Sequence, residues 1–199
     1  MPIKLNSTSG GSVTLDVPAT AATYTLKLPT VTANLVSDSA NSVTQSMLST
    51  GLAGTGPLFF ARQTVSQTLT SGTNVKVTFT SEEFDTANCY DTSTSKFTPN
   101  VAGYYYISSH IRFGTSSACQ SELAIYKNGS AWAVCSINQQ GSNDQSGFIN
   151  CMVYCNGSTD YIEIYANQNN GSSVSTQLTD NIGSTNKGIW FTGHLIRSA

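Results

Sequence analysis

The sequence predicts an all-β protein, and two observations support that prediction. Charged residues make up only 10% of the 199 residues, so Glu, Lys and Arg, which favour helices, are scarce. Short runs of alternating apolar and polar residues recur at roughly 8–12-residue spacing, the pattern of strands in a sandwich or barrel. Turn residues such as Gly10-Gly11, Pro18 and Asn128-Gly129 separate these runs, as expected between strands.

Composition and charge exclude several classes of protein. Nine basic residues are scattered among eleven acidic ones, so no basic surface for nucleic acid is predicted. A hydrophobic content of 39% with a net charge of −2 argues against a disordered chain. No run approaches the roughly 18 apolar residues that a membrane span requires, so membrane insertion is not expected.

Aromatic residues divide the chain at Pro57. Tyr24 is the only aromatic residue before it, and a segment without large side chains cannot bury a core alone. We therefore predict a stalk or docking segment over residues 1–56 and a knob domain over residues 57–199. The alternating residues of the first segment are Ile3 and Leu5, then Val13, Leu15 and Val17, then Tyr24, Leu26 and Leu28, and a short helix is predicted from Ala40 to Leu48.

The knob domain is a succession of predicted strands. Clear examples are a long strand from Gly103 and a hairpin around Asn128-Gly129, a two-residue turn. The other predictions are a strand from Leu58 to Val65, a strand with Val75, Val77 and Phe79 on one face, a pair formed by Phe148–Tyr154 and Tyr161–Tyr165 across Asn156-Gly157, and a strand from Lys187 to Ile196. So many short strands predict a β-sandwich or barrel.

The order of residues in the knob resembles a known family, the globular head of complement's first component within the tumour-necrosis-factor-like jelly rolls. The resemblance rests on Phe59-Phe60-Ala61, Asn88, Tyr90-Asp91, Phe97-Thr98-Pro99, Gly103-Tyr104-Tyr105-Tyr106, Lys127-Asn128-Gly129, Gly157, Asp160 and Phe191-Thr192-Gly193-His194-Leu195. It implies a jelly-roll sandwich that forms a homotrimer. Phe59, Tyr105, Ile107, Phe191 and Leu195 are then candidates for the trimer interface or the core. The chain lacks a collagen-like repeat, so collagen and complement partners are not expected.

The first segment resembles the opening of bacteriophage tail-fibre and virion-appendage proteins. The resemblance rests on Gly11-Ser12-Val13-Thr14-Leu15-Asp16-Val17-Pro18-Ala19-Thr20, on Tyr24-Thr25-Leu26-Lys27-Leu28-Pro29 and on Val43-Thr44-Gln45-Ser46-Met47-Leu48. It implies a protein of the virion surface, made in the host cytoplasm, whose residues 1–56 contact other virion proteins.

No convergent set of catalytic residues is visible, and we predict no enzyme, cofactor or metal. His110 and His194 alternate away from the predicted core faces, where a partly exposed or interfacial histidine is expected. Glu82, Glu83, Asp85 and Asp91 cluster in one turn-rich connection; a solvated acidic loop is the favoured interpretation, with a cation site or a carboxylate pair as alternatives. The five cysteines are expected to be small buried hydrophobic residues in a reduced interior.

Tyrosines and polar loops are the better functional candidates. Tyr104, Tyr106, Tyr126, Tyr154 and Tyr165 alternate away from the predicted core faces or lie at their edges, which suits subunit packing in a trimer or an external glycan site. Two long, nearly uncharged loops are predicted, from Asn138 to Gly147 and from Asn167 to Ser175. Their candidate receptor-contact residues are Asn138, Gln139, Asn143, Asn169 and Asn170.

The leading hypothesis is a bacteriophage head or tail fibre whose trimeric knob binds a glycan or protein of the host surface. Three copies would present the same loops, and multivalency would raise the avidity. Two alternatives remain: a capsid decoration protein without a receptor, and a secreted or cell-surface bacterial adhesin of the same fold.

Overall fold

The structure is a computed structural model that describes residues 3–6, 12–15, 56–115, 118–138, 145–179 and 187–199. Contacts between Cα atoms divide the chain into two units, Met1–Val43 and Thr44–Ala199. The predicted boundary after residue 56 remains a prediction. The predicted helix from Ala40 to Leu48 and the predicted strand around Tyr24 lie outside the described residues.

The first unit contains a pair of antiparallel strands, β1 (Ile3–Asn6) and β2 (Ser12–Leu15). Ile3 lies opposite Leu15, and Leu5 lies opposite Val13. The alternation of apolar residues around Gly10-Gly11 therefore predicted both strands correctly.

The described part of the second unit consists of strands and their connections, so the fold is all-β. The strands are β3 (Leu58–Arg62), β4 (Thr68–Leu69), β5 (Val75–Lys76), β6 (Ser81–Asp85), β7 (Tyr90–Asp91), β8 (Lys96–Phe97), β9 (Ala102–Gly114), β10 (Gln120–Lys127), β11 (Ser130–Asn138), β12 (Gln145–Asn156), β13 (Ile162–Gln168), β14 (Val174–Thr176) and β15 (Trp190–Ser198).

These strands form two sheets that face each other as a jelly roll. Within the described residues the larger sheet has the order β4-β14-β9-β15-β3-β6, with β12 paired to β9. The smaller sheet has the order β11-β10-β13-β8-β7, with β5 paired to β13. Every ladder between these strands is antiparallel.

The core between the sheets is aromatic at its centre. Phe59 of the larger sheet stacks on Phe97 and Tyr90 of the smaller sheet, with ring centroids 4.4 and 4.8 Å apart, and meets the edge of Phe191 at 4.8 Å. The Tyr90 hydroxyl donates a hydrogen bond to the carbonyl of Phe79 over 2.8 Å, so this buried polar group is satisfied. Aromatic packing explains why the Phe97-Thr98-Pro99 motif lies inside the fold.

The two ends of the sandwich follow from the strand register. Leu58, where β3 begins, pairs with His194, and Asn156, where β12 ends, pairs with Ala102. We call this the proximal end, because the chain reaches β3 there. The opposite, distal end carries the end of β9 and the beginning of β12, where Gln145 pairs with Phe113.

The predicted pairing across Asn156-Gly157 is wrong. Strand β12 pairs with β9 in the larger sheet, whereas β13 pairs with β10 in the smaller sheet. Gly157 adopts a φ of 73°, so the turn chemistry was identified correctly. The chain crosses between sheets at this turn because both strands carry inward apolar residues, Val153 on β12 and Ile164 on β13, that close the core from opposite sides.

The predicted strand over Val75–Phe79 forms a ladder only at Val75–Lys76. Val77 and Phe79 are still fully buried, as their alternation predicted. The backbone N–H of Thr78 donates to the Gln67 side chain over 3.0 Å, and that of Phe79 donates to the Ser95 hydroxyl over 2.9 Å. Side-chain acceptors thus take the place of a neighbouring strand.

Candidate functional site

The outward side of the larger sheet is an exposed aromatic face. It is built from the outward positions of β3, β9, β12 and β15. Met152 is 65% exposed, Tyr104 50% and Phe148 49%, although apolar groups of this size are normally buried. The aromatic face comprises Leu58, Phe60, Tyr104, Tyr106, His110, Phe148, Met152, Tyr154, Trp190 and His194. The polar residues Asn150, Ser108 and Thr192 form one row between its proximal and distal parts. Large exposed apolar patches are typical of association sites.

Strand register arranges the rings of the aromatic face in rows across the sheet. Tyr154 lies directly opposite Tyr104, with ring centroids 5.5 Å apart. One step distally, Tyr106 lies beside His194 at 5.5 Å. At the distal end Trp190 lies 5.9 Å from Phe148 and 5.7 Å from Phe60, between ring centroids. Such cross-strand contacts between side chains stabilise the arrangement of the rings within a single copy of the chain.

A groove of about 640 Å³ opens at the proximal part of this face. Its lining residues are Tyr104, Trp132, Met152, Tyr154, Ile196 and Arg197. Trp132 belongs to the smaller sheet and is the extra residue of a β-bulge, because Ile125 pairs with Ala133 while Tyr126 pairs with Ala131. Bulges redirect side chains, and here the indole N–H donates to the Met152 carbonyl over 3.2 Å. Trp132 thus extends the apolar surface around the sheet edge.

The five predicted outward tyrosines lie on two different surfaces. Tyr104, Tyr106 and Tyr154 belong to the aromatic face. Tyr126 and Tyr165 lie on the outward side of the smaller sheet, where their rings stack with centroids 4.0 Å apart and an interplanar angle of 26°. The sequence could not separate the two groups, because both follow the same alternation.

The predicted interface or core residues lie between the sheets. Phe59, Tyr105, Ile107 and Phe191 have no exposed surface in a single copy of the chain, and Leu195 is partly buried against them. Their outward neighbours on the same strands, including Phe60, Tyr106 and Trp190, form the aromatic face.

Three of the five predicted receptor-contact residues, Asn138, Asn169 and Asn170, lie at the distal end. Asn138 pairs with Gln120 on one side, and the backbone N–H of Asn169 donates to the Gln120 carbonyl over 2.9 Å on the other. Asn170 follows, with its N–H held by the Gln168 side chain over 2.7 Å. The structure therefore brings the ends of the two polar loops together around the start of β10. Gln139 and Asn143 lie outside the described residues.

The acidic cluster holds local backbone. The Asp85 carboxylate accepts hydrogen bonds from the N–H groups of Ala87 and Tyr90 over 3.0 and 2.7 Å. The Asp91 carboxylate accepts from Ser93 and Thr94, and these hydrogen bonds lower the pKa of Asp91 to about 2. The Glu83 carboxylate forms an ion pair with the Arg62 guanidinium at 2.9 Å, at the surface. The contacts of Asp85 and Asp91 stabilise the local turns, and Glu82 and Asp91 also line an open pocket of about 470 Å³.

The histidine and cysteine side chains do not converge. His110 is partly exposed and contacts the Gly188 carbonyl, while His194 is exposed on the aromatic face. Over the described ranges no three His, Cys, Asp or Glu side chains are arranged to hold a metal ion. The cysteines are free thiols, and burial raises the pKa of the Cys151 thiol to about 11. A thiol with a raised pKa is a poor nucleophile near neutral pH.

Sequence reasoning missed three parts of this site: Trp132, Phe60 and Trp190. Phe60 and Trp190 occupy the outward phase of strands whose inward residues, Phe59 and Phe191, were identified. The available signal was the presence of large apolar residues in both phases of one strand. Apolar residues in both phases are typical of strands that are covered on both faces, so this pattern indicated that the outward face also carries apolar groups. The bulge at Trp132 could not be predicted, because Asn128-Gly129 is the signal of a regular two-residue turn.

Across the described segments no helix long and apolar enough to cross a membrane is present. The sequence matches no curated protein. Residues 58–196 match the family model of the C1q domain. This range begins with β3 and ends within β15.

Solved structures are similar to this chain at low sequence identity. The globular domain of zebrafish complement 1qA is 18% identical with a TM-score of 0.47, covering 72% of this chain and 99% of that one. Murine APRIL is 9% identical with a TM-score of 0.48, over 71% and 99% of the two chains. Eiger TNF from S. frugiperda reaches a TM-score of 0.52 at 8% identity, over 72% and 93%, which supports a common fold.

The family match covers both sheets of the sandwich, including the Phe97-Thr98-Pro99, Gly103-to-Tyr106 and Phe191-to-Leu195 motifs that build its core. The predicted jelly roll is therefore confirmed, and so is the predicted resemblance of residues 57–199 to the globular head of complement's first component. This chain belongs to the C1q domain family.

Proposed function

We propose that the chain is a non-enzymatic binding protein of a bacteriophage head or tail fibre, displayed on the virion as a homotrimeric knob. The observation that supports it best is the aromatic face. In one copy of the chain this face exposes more than a third of Leu58, Tyr104, Phe148, Met152 and Tyr154. Burying it in an oligomer contributes favourable free energy of about 25 cal/mol per Å² of apolar surface.

A threefold arrangement suits this surface. The aromatic face lies on one side of a sandwich and reaches the sheet edge, where Trp132 extends it. The edge of each copy can then pack against the face of the next, and a closed ring of such heterologous contacts leaves no copy unpaired. Three knobs present identical distal ends.

The polarity of the sandwich supports a role in attachment. The chain reaches the knob at the proximal end, beside Leu58, whereas Asn138 and Asn169 lie at the distal end around Gln120. A knob held through the preceding residues would thus direct these polar loops outward, toward a glycan or protein of a host surface. Residues 1–56, which resemble virion-appendage sequences, would contact other virion proteins at the particle surface.

One pair of substitutions tests the trimer. Met152→Lys places a charge in the aromatic face, while Val65→Lys places the same charge in the connection after β3, where Val65 is 69% exposed. Sedimentation should give a trimer for the parent chain and for V65K, and mainly monomer for M152K, because a buried unpaired charge costs several kcal/mol. A monomeric parent chain at micromolar concentration would refute the trimer.

A competition assay tests the binding role. Purified knob should compete with phage particles for adsorption to host cells if its distal loops bind the receptor. Lack of competition by a trimeric knob would favour the decoration protein over the receptor-binding fibre. Location of the chain on a secreted bacterial structure rather than on particles would favour the adhesin.

A further inference from the structure

A second surface, separate from the aromatic face, is preorganised on the outward side of the smaller sheet. We call it the tyrosine platform, and it comprises Tyr126, Tyr165, Asn74 and Asn167. Tyr126 is on β10 and Tyr165 is on β13, one diagonal step apart, because Tyr126 pairs with Glu163 and Ala124 with Tyr165. Both tyrosine side chains remain partly exposed.

Hydrogen bonds fix the polar edge of the tyrosine platform. The Asn167 amide donates to the Asn74 Oδ1 over 2.7 Å, and the Asn74 amide donates to the Tyr126 hydroxyl over 3.3 Å. Each asparagine keeps further donor or acceptor capacity. The surface therefore combines aromatic rings with amide groups that are ordered before a ligand binds, which lowers the entropy cost of binding.

Charges beside the tyrosine platform balance. The Glu163 carboxylate lies 3.2 Å from the Lys76 ammonium and 3.8 Å from that of Lys96. Glu122, on the other side of the platform, supplies the second negative charge and accepts a hydrogen bond from Ser136 over 3.3 Å. Two lysines and two glutamates leave no net charge, so the surface offers no electrostatic attraction for an anionic ligand.

We propose that the tyrosine platform binds a neutral oligosaccharide. The apolar C–H side of a pyranose ring would pack on the exposed tyrosine surface, and its hydroxyl groups would exchange hydrogen bonds with the Asn74 and Asn167 amides. Mixed aromatic and amide chemistry of this kind suits a ligand that is apolar on one side and polar at its edges. This assignment names the ligand class for the receptor-binding role and rests on that proposed function.

The position of the tyrosine platform fits this role. It lies on the sheet opposite the aromatic face, so trimer formation through that face leaves it accessible. Asn167 is two residues before Asn169, so the platform continues into the polar loops of the distal end. A trimer would present three platforms, and binding to a glycan-coated surface would gain avidity from simultaneous contacts.

Binding of the full chain to a defined glycan panel tests the assignment. The panel contains neutral oligosaccharides ending in galactose, glucose, mannose or N-acetylglucosamine, together with sialylated and phosphorylated ones. We expect binding to at least one neutral glycan, with affinity reduced about tenfold or more in Tyr126→Ala and in Tyr165→Ala, the loss typical of a central aromatic contact. Tyr126→Phe keeps the ring stack and should retain most of the affinity.

Val65→Ala is the matched control, because Val65 is 69% exposed and lies in the connection after β3. It should bind like the parent chain. Thermal unfolding and sedimentation of every variant establish that the fold and oligomeric state are retained. If an alanine variant of a tyrosine unfolds, Asn167→Ala replaces it, because it removes a platform amide and leaves both rings in place, and the same loss of affinity is expected.

Three results would overturn the assignment: no binding to any neutral glycan, equal binding by the parent chain and the alanine variants of the platform, or preference for the anionic glycans. If the chain is a trimer and gives one of these results, the glycan-binding role of the platform is refuted and the proposed trimer is not. A monomer whose glycan binding depends on Tyr126 supports the platform and refutes the trimer.

Discussion

At Gly193 the packed core leaves no room for a Cβ atom. This residue lies on β15 between Phe191 and Leu195, facing the interior. A Cβ at this position would be 2.8 Å from Ile107 Cδ1 and 2.9 Å from Phe59 Cε1. Both neighbours are fully buried, so neither can move away without disturbing the aromatic centre.

We expect Gly193→Ala to lower the free energy of unfolding by about 1–3 kcal/mol, the usual cost of overpacking a core. Chemical denaturation measures this change. Gly188→Ala is the control: its Cβ would meet the Arg112 Cδ at 3.0 Å, outside the aromatic centre, so its effect should be smaller than that of Gly193→Ala. Equal effects of the two substitutions would contradict the steric explanation.

The sequence predicted the residues that face the core but not their close fit. Alternation placed Tyr105, Ile107 and Phe191 on inward phases, and all three are fully buried. The Gly193 motif was visible as a family resemblance, but its physical reason lies in contacts between residues more than eighty positions apart. Such contacts depend on which strands become neighbours, and a single strand does not encode that information.

Two turns at the proximal end are joined by one carboxylate. Asp160 accepts hydrogen bonds from the Asn128 amide over 2.7 Å and from the Asn156 N–H over 3.0 Å, and it pairs with the Lys127 ammonium at 2.9 Å. The turn after β10 is thereby tied to the turn after β12. These contacts, chiefly the Asn128 hydrogen bond, lower the pKa of the Asp160 carboxyl.

We expect Asp160→Asn to destabilise the fold by about 1–2 kcal/mol near pH 7, because charge-assisted hydrogen bonds are lost. A lowered pKa means that the ionised form stabilises the folded state above the ordinary value near 3.9. The difference between parent and variant should therefore shrink as the pH falls below about 4 and approaches the folded-state pKa. Unfolding at pH 7, 5 and 3 measures it.

Glu83→Gln is the control for Asp160→Asn. It removes a carboxylate from the exposed pair with Arg62, and exposed pairs contribute roughly 0–1 kcal/mol. A difference for Asp160→Asn that persists unchanged at pH 3 would show that its charge is not the source of the stability.

At the level of strands, the positions of the turns were easier to predict than the pairing of the strands that they connect. Asn128-Gly129 does close a hairpin between β10 and β11, whereas Asn156-Gly157 sends the chain to the other sheet. Both asparagine-glycine pairs mark a reversal, because Gly129 and Gly157 have positive φ values of 78° and 73°. A reversal says nothing about which sheet receives the next strand. That choice follows from the two-sheet core.

The knob should fold without the preceding segment. All residues of the described hydrophobic core lie between Phe59 and Phe191. We expect residues 57–199 alone to unfold cooperatively, with a midpoint within a few degrees of that of the full chain, while losing attachment to particles. Differential scanning calorimetry and a particle-binding assay measure the two properties. A truncated chain that does not fold would place the domain boundary before Pro57.

For the whole molecule, the sequence predicted the fold class and the start of the knob but not which surface each strand contributes to. Scarce helix formers and regular turn spacing indicated the sandwich, and the aromatic content indicated where it begins. The aromatic face could not be distinguished from the tyrosine platform, because Tyr106 and Tyr126 are equivalent in pattern and differ only in the sheet to which their strands belong.

The position of β15 has a consequence for how the chain is made. This strand follows all the other strands in sequence, yet it occupies the middle of the larger sheet, between β3 and β9. During synthesis, β3 and β9 leave the ribosome with their facing edges unpaired, and such edges are prone to aggregate. The larger sheet can close only when Trp190–Ser198 has emerged, so folding waits for the end of translation of this domain.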